Sequence, residues 1–176
     1  DPIDGTRSFI RGLPLFASLI ALLHKGEPVL GIISLPALGE TAWAVKGKGA
    51  YAGRQRLQVS KHSIVKGAFV GTADYYCFKE KKCMRLFNRL HREAAIVRTY
   101  PDAFGHLMAI RGIIDVMVDP WAHIWDYAPC KIMVREAGGE FANFTGNKAG
   151  IDMGNAISGN PKLVKAVRAM IRKGNR

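Results

Sequence analysis

The chain has 176 residues, enough for one sizeable core, and 48 % are hydrophobic against 23 % charged, the balance of a globular domain. Its longest apolar run, residues 13–23, is interrupted by Pro14 and Ser18 and is too short to span a membrane. Three cysteines without a CxxC pair argue against a disulfide framework or a zinc site and fit a reducing cytoplasm.

A net charge of +12 raises the question of nucleic acid. The positives fall in two groups: Lys79, Lys81, Lys82, Arg85, Arg89 and Arg92, then Lys162, Lys165, Arg168, Arg172, Lys173 and Arg176. Both follow amphipathic helix patterns with mainly aliphatic partners, so solvated helix faces are expected and a nucleic-acid-binding module is disfavoured.

Along the chain, residues 15–23 and 29–35 read as strands around a Gly26-Glu27-Pro28 turn, and 40–45 as a third strand. Gly47-Lys48-Gly49 reads as a tight turn and 56–59 as a short strand. Residues 1–66 thus predict an antiparallel meander. Residues 67–176 alternate: strands at 68–71, 95–98 and 114–118, and helices at 80–93 and 102–111. The first of these helices carries Met84, Phe87, Leu90 and His91 on one face. Asp102 is a candidate N-cap and Gly112 a stop for the second. A helix from Asp126 to Ala137 follows, with Pro129 in its first turn, where a missing N–H does no harm. Short strands at 140–143 and 156–158 and a closing helix at 161–172 complete an α/β pattern of sheets layered with helices. Cys83 and Cys130 fall in helical patterns, as small buried hydrophobes.

Chemistry concentrates in two places. The chain opens Asp1-Pro2-Ile3-Asp4-Gly5-Thr6: two carboxylates three apart, then a glycine. Such a segment can be a plain acidic turn, or it can converge on a hard cation such as Mg²⁺, with the Gly5 and Thr6 amides facing a phosphate. The spacing differs from the Asp-x-Asp-Gly-Thr motif of phosphatases that form an aspartyl intermediate, which sets that chemistry aside. Further on stand Trp125-Asp126-Tyr127-Ala128-Pro129 and Glu136-Ala137-Gly138-Gly139. Asp126, at a helix N-terminus, can cap the helix or bind metal.

Taken together, these elements resemble the paired signature of the inositol monophosphatase superfamily. The likeness extends through Gly47-Lys48-Gly49-Ala50-Tyr51 and Leu57-Gln58-Val59-Ser60 to essentially the whole chain. It implies a layered αβαβα sandwich and a Mg²⁺-dependent phosphomonoesterase that uses metal-activated water on a small phosphorylated alcohol. It also implies that Asp1, Asp4 and Asp126 are metal ligands, Asp4 catalytic among them, and that Ile3 offers its backbone carbonyl. Gly5 and Thr6 would contact phosphate, Thr6 would orient the attacking water, and Asp119 would meet the substrate. The family places a metal-binding glutamate and helices upstream of this motif. None is present, so an N-terminally truncated chain is expected, with apolar surface left open on one sheet.

Within the family, residues 1–38 resemble the histidinol-phosphate phosphatase branch, notably Ser8-Phe9-Ile10, Gly12, Pro14 and Leu19-Ile20-Ala21-Leu22-Leu23. So do residues 98–105, where Asp102 could meet a substrate ammonium or simply cap a helix. That substrate implies histidine biosynthesis in the cytoplasm. Inositol 1-monophosphatase and nucleotide 3′-phosphatase are the alternatives, and a homodimer is compatible with the sequence. His123, three before Asp126, is expected at the rim of the site, and His106 in packing.

Overall fold

A computed structural model describes residues 1–145 and 154–173, with side chains as far as 171. Arg172, Lys173 and Arg176 of the second basic group therefore lie outside the described side chains. After a short helix α1 (Thr6–Ile10), strands β1 (Ser18–His24), β2 (Glu27–Leu35), β3 (Glu40–Val45), β4 (Gly49–Ala52) and β5 (Gln55–Arg56) form an antiparallel sheet in chain order. The first hairpin turns on Lys25 and Gly26, both with positive φ, while His24 pairs with Glu27. A two-residue turn of that kind matches strand twist, which is why Glu27 and Pro28 belong to β2 and not to the turn. Gly49 likewise opens β4 rather than closing the turn before it. Leu57 and Val59 continue beyond β5 without a ladder, their amides donating to the Ala50 and Ala137 carbonyls.

The second half supplies β6 (Phe69–Thr72), α2 (Tyr75–Glu80), α3 (Met84–Glu93), β7 (Ile96–Thr99), α4 (Asp102–Ile110), β8 (Val116–Asp119), α5 (Ile124–Glu136), β9 (Glu140–Ala142), β10 (Ala156–Gly159) and α6 (Pro161–Lys173). Its sheet runs β7-β6-β8-β10-β9, with β7, β6 and β8 parallel and β10 antiparallel to both its neighbours. The helix expected at 80–93 is α3 and starts later, at Met84, preceded by the separate helix α2. Lys82, at φ 55, breaks the chain between them, and His91 is exposed while Leu86 and Leu90 are buried.

Helices α4 and α5 pack against both sheets, and α2, α3 and α6 cover the far face of the second. Positions 105–110 of α4 are all buried, as a helix between two sheets requires. On the inner face of the first sheet Ile33, Leu35, Ala42, Ala44 and Ala50 are fully buried, whereas Ile20, Leu22 and Trp43 on its outer face are exposed. The layers run sheet, helices, sheet, helices. No described residue forms a further helical layer outside the first sheet. Among the described residues, no helix is long and apolar enough to cross a membrane.

Candidate active site

The opening segment is laid along the start of β1. The Asp1 ammonium donates to the Leu19 carbonyl at 3.0 Å, and the Leu19 amide returns a bond to the Asp1 carbonyl at 2.7 Å. Asp4 forms an isolated bridge with Ala17, its amide donating at 2.8 Å and its carbonyl accepting at 3.0 Å. The chain then reverses at Gly5, with φ 73. A Cβ there would stand 3.1 Å from the Leu15 carbonyl oxygen and 3.2 Å from Asp102 Oδ2, so glycine suits both the conformation and the space. Thr6 Oγ1 donates to the Ile3 carbonyl at 2.9 Å, and the Ile3 amide donates to Asp1 Oδ1 at 2.9 Å.

Helix α5 brings in the third carboxylate. Its close approach to β2 depends on Gly31, where a Cβ would meet Ile132 Cγ2 at 2.6 Å and the Pro129 backbone within 3 Å. The helix begins at Ile124, so His123 occupies the N-cap position and Asp126 the third position. Asp126 still serves the cap: its Oδ2 accepts the His123 amide at 2.8 Å. Its Oδ1 is buried and has no hydrogen-bond partner among the described residues. The His123 ring is exposed and stacked on Trp125, and it lines the rim of the cavity described below.

One carboxylate oxygen each from Asp1, Asp4 and Asp126 lie within 4.8 Å of one another. Burial, then the nearby Asp102 charge, push the Asp4 carboxyl up to about 7, against the pull of the Ala103 amide; Asp126 and Asp119 add to the rise. Burial raises Asp126 as well. Acids gathered this closely repel one another unless a cation is shared. An oxygen-only donor set with one orphaned buried oxygen fits a hard divalent cation such as Mg²⁺.

The trio borders a cavity of about 600 Å³ whose wall includes Gly5, Thr6, Asp102, His106, Asp119 and Tyr127. Asp102 is the first residue of α4, not its N-cap, with φ 49. Burial and the charges of Asp119 and Asp126 raise its carboxyl to about 6. Asp119, at the end of β8, is buried, and its Oδ1 accepts the Trp121 amide at 3.0 Å. Cys77 also lines the cavity, but burial and its hydrogen bond to Asp74 push its thiol up to about 12, which withholds the thiolate.

Two features escaped the sequence reading. His106 packs among the Tyr127 and Phe141 rings as expected, yet it also bonds Ser158 through Nδ1 at 2.8 Å and turns Nε2 towards Asp119. Asp74, a further carboxylate on the cavity wall, caps α2, a helix that the sequence pattern did not announce. Glu136 of the second motif lies away from the cavity. Its two oxygens accept the Gly47 and Gly49 amides, each at 2.8 Å, and so fix the β3–β4 turn.

The model of the inositol monophosphatase family matches residues 1–173. The chain is 38 % identical to the histidinol-phosphatase of Streptomyces coelicolor over 172 residues, 93 % of this chain and 64 % of that protein. It is 35 % identical to the histidinol-phosphatase of Mycobacterium tuberculosis over 99 % of this chain and 68 % of that protein. The solved structure of a Thermotoga maritima IMPase matches with a TM-score of 0.88 at 31 % identity, over 98 % of this chain and 67 % of that one. The chain therefore spans about two thirds of the length of these relatives.

Proposed function

Given that the chain belongs to the inositol monophosphatase family, we propose that it is the major part of a Mg²⁺-dependent phosphomonoesterase acting on histidinol phosphate. The observation that carries this reading is the convergence of Asp1, Asp4 and Asp126, the last from a helix far along the chain from the other two, on one point beside the cavity. Those carboxylates, with the Ile3 carbonyl, would hold the metal. When bound, Mg²⁺ supplies Lewis-acid stabilisation of phosphoryl oxygens and lowers the pKa of a water. The protein's own part is placement. The Gly5 and Thr6 amides open a turn that can receive phosphate oxygens. The Thr6 hydroxyl, anchored on the Ile3 carbonyl, would orient a water. No side chain need form a covalent bond to phosphorus, in keeping with the raised Cys77 thiol.

Charge on the rest of the cavity wall supports an amine substrate. Asp102 and Asp119 are not needed for the metal, and two acids on one wall favour a cationic alcohol phosphate over a neutral polyol. The names of the Streptomyces and Mycobacterium relatives agree with that choice. Inositol 1-phosphate is the second reading, because a buried carboxylate at Asp119 also suits a ring hydroxyl.

The test is phosphate release by the complete gene product from histidinol phosphate, inositol 1-phosphate, fructose 1,6-bisphosphate and adenosine 3′,5′-bisphosphate, with and without Mg²⁺. The expected result is Mg²⁺-dependent release with the highest kcat/KM on histidinol phosphate. Preference for another ester would reject the substrate, and metal-independent release would reject the mechanism.

A further inference from the structure

His106 is 2 % exposed and carries a ring nitrogen, Nε2, with no hydrogen-bond partner among the described residues. Its neighbours along α4, Ala103, Leu107 and Ile110, are apolar, so a leucine would satisfy the packing without a buried polar atom. The ring is instead held from three sides. The Tyr127 ring meets it edge-on with centroids 5.9 Å apart, Phe141 packs against it, and Ser158 Oγ lies 2.8 Å from Nδ1. Ser158 pairs with Met117, two residues before Asp119 on β8, so the hydroxyl and the Asp119 carboxylate share one face of the sheet. Across that face, His106 Nε2 stands 3.6 Å from Asp119 Oδ2, an electrostatic contact rather than a full hydrogen bond.

The tautomer follows from these neighbours. If Nδ1 carried the proton, the Nε2 lone pair would face a buried carboxylate oxygen, two acceptors opposed. With Ser158 donating to Nδ1, the Nε2–H instead points at Asp119 and attracts it. Asp119 is then gripped on both oxygens, by the Trp121 amide on Oδ1 and by His106 on Oδ2.

We propose that His106, set in its Nε2–H tautomer by Ser158, is a positioning residue that holds Asp119 aimed at the non-phosphate end of the substrate. The inference rests on the reading of Asp119 as a substrate contact given above. It adds a Ser158–His106–Asp119 relay that fixes specificity without touching phosphate or metal.

Two measurements on the complete gene product test it. In long-range ¹⁵N–¹H spectra, His106 should show a protonated Nε2 and an unprotonated Nδ1, and Ser158→Ala should weaken that preference; a protonated Nδ1 in the unaltered protein overturns the relay. In kinetics, His106→Leu should raise KM for histidinol phosphate roughly ten-fold more than for p-nitrophenyl phosphate, about 1.4 kcal/mol of substrate binding. The loss should appear in KM rather than kcat. His106→Gln, whose amide can donate near the Nε2 position, should recover most of it. In an Asp119→Asn background, His106→Leu should add nothing. Equal losses on both substrates, no recovery with Gln, or an undiminished effect beside Asp119→Asn would each show a merely structural histidine. If the protein prefers a different ester from the panel, the substrate assignment fails alone, and the same cycle run on that ester still decides the relay.

Discussion

The Ala103 amide donates to Asp4 Oδ2 at 2.8 Å, joining the first turn of α4 to a carboxylate 99 residues earlier in the chain. The bond fixes one oxygen of a carboxylate that also belongs to the cluster with Asp1 and Asp126. It also couples the opening segment to the helix that carries Asp102 and His106. The site is thus assembled where the opening segment and first sheet meet the helices α4 and α5, and its chemistry depends on that packing.

Asp126→Asn should separate chemistry from folding. The amide oxygen can still accept the His123 amide, so the α5 cap survives. The charge that would share a cation with Asp1 and Asp4 is lost. Turnover of the complete gene product should fall by at least about 10²–10³, the usual cost of removing one preorganised electrostatic contact. The thermal midpoint should stay within a few degrees. Full activity at saturating Mg²⁺ would falsify the metal assignment.

Asp4 makes the metal-free protein sensitive to pH. Its carboxyl titrates at about 7 when folded, against an ordinary 3.8. Between those values the folded state holds a proton that the unfolded chain has released. Stability from this group is therefore complete at low pH and is lost as pH rises from about 4 to about 7, by at most about 4 kcal/mol. Asp102, raised to about 6, works in the same direction. Urea unfolding in EDTA should show stability falling over that range, Mg²⁺ should restore it above about pH 7, and Asp4→Asn should flatten the slope. Rising stability across the same window would contradict the crowding of acids described here.

Glu136 should matter to folding and not to catalysis. It accepts two backbone amides in the turn before β4. Glu136→Ala leaves both donors without their charged acceptor and should cost roughly 2–3 kcal/mol in denaturant unfolding. KM and kcat of the variant that remains folded should hold near those of the unaltered protein. A selective loss of kcat would return Glu136 to the active site.

How much of this was legible in the sequence depended on how local the cause was. The apolar runs at 29–35 and 40–45, set off by Gly and Pro turn residues, announce strands because their cause is local. The Asp1–Thr6 and Trp125–Pro129 motifs could be read because each is contiguous. Helix starts were less legible. Asp126 looked like a cap, but His123 fills that position, because a carboxylate three residues into a helix reaches back to the same amide that a cap residue would expose. Helix α2 was missed because Tyr75 and Tyr76 are exposed, 57 % and 53 %, and leave no apolar stripe beyond Phe78. The role of His106 could not be read at all. It arises from Ser158, 52 residues away, and Asp119, neighbours that only the second sheet brings together.

The outer face of the first sheet carries the last prediction. Strand register places Ile20 opposite Ile32, Ile32 opposite Trp43 and Trp43 opposite Tyr51, a continuous apolar row across four strands. Leu22 and Leu30 form a second row beside it. Trp43 and Tyr51 stack with ring centroids 4.9 Å apart, and Ile20 and Leu22 are 58 % and 59 % exposed. A contiguous patch of this kind drives association when nothing covers it. The 176-residue chain should therefore self-associate at micromolar concentration, more strongly as temperature rises towards ambient, because the drive is entropic. Replacing Ile20 and Leu22 by threonine keeps strand preference while removing apolar area, so the double variant should stay closer to the monomer mass in sedimentation and light scattering at the same concentration. It should do so at little cost in stability, because both side chains are already largely in solvent. Identical association by the two proteins would show that this face does not drive it.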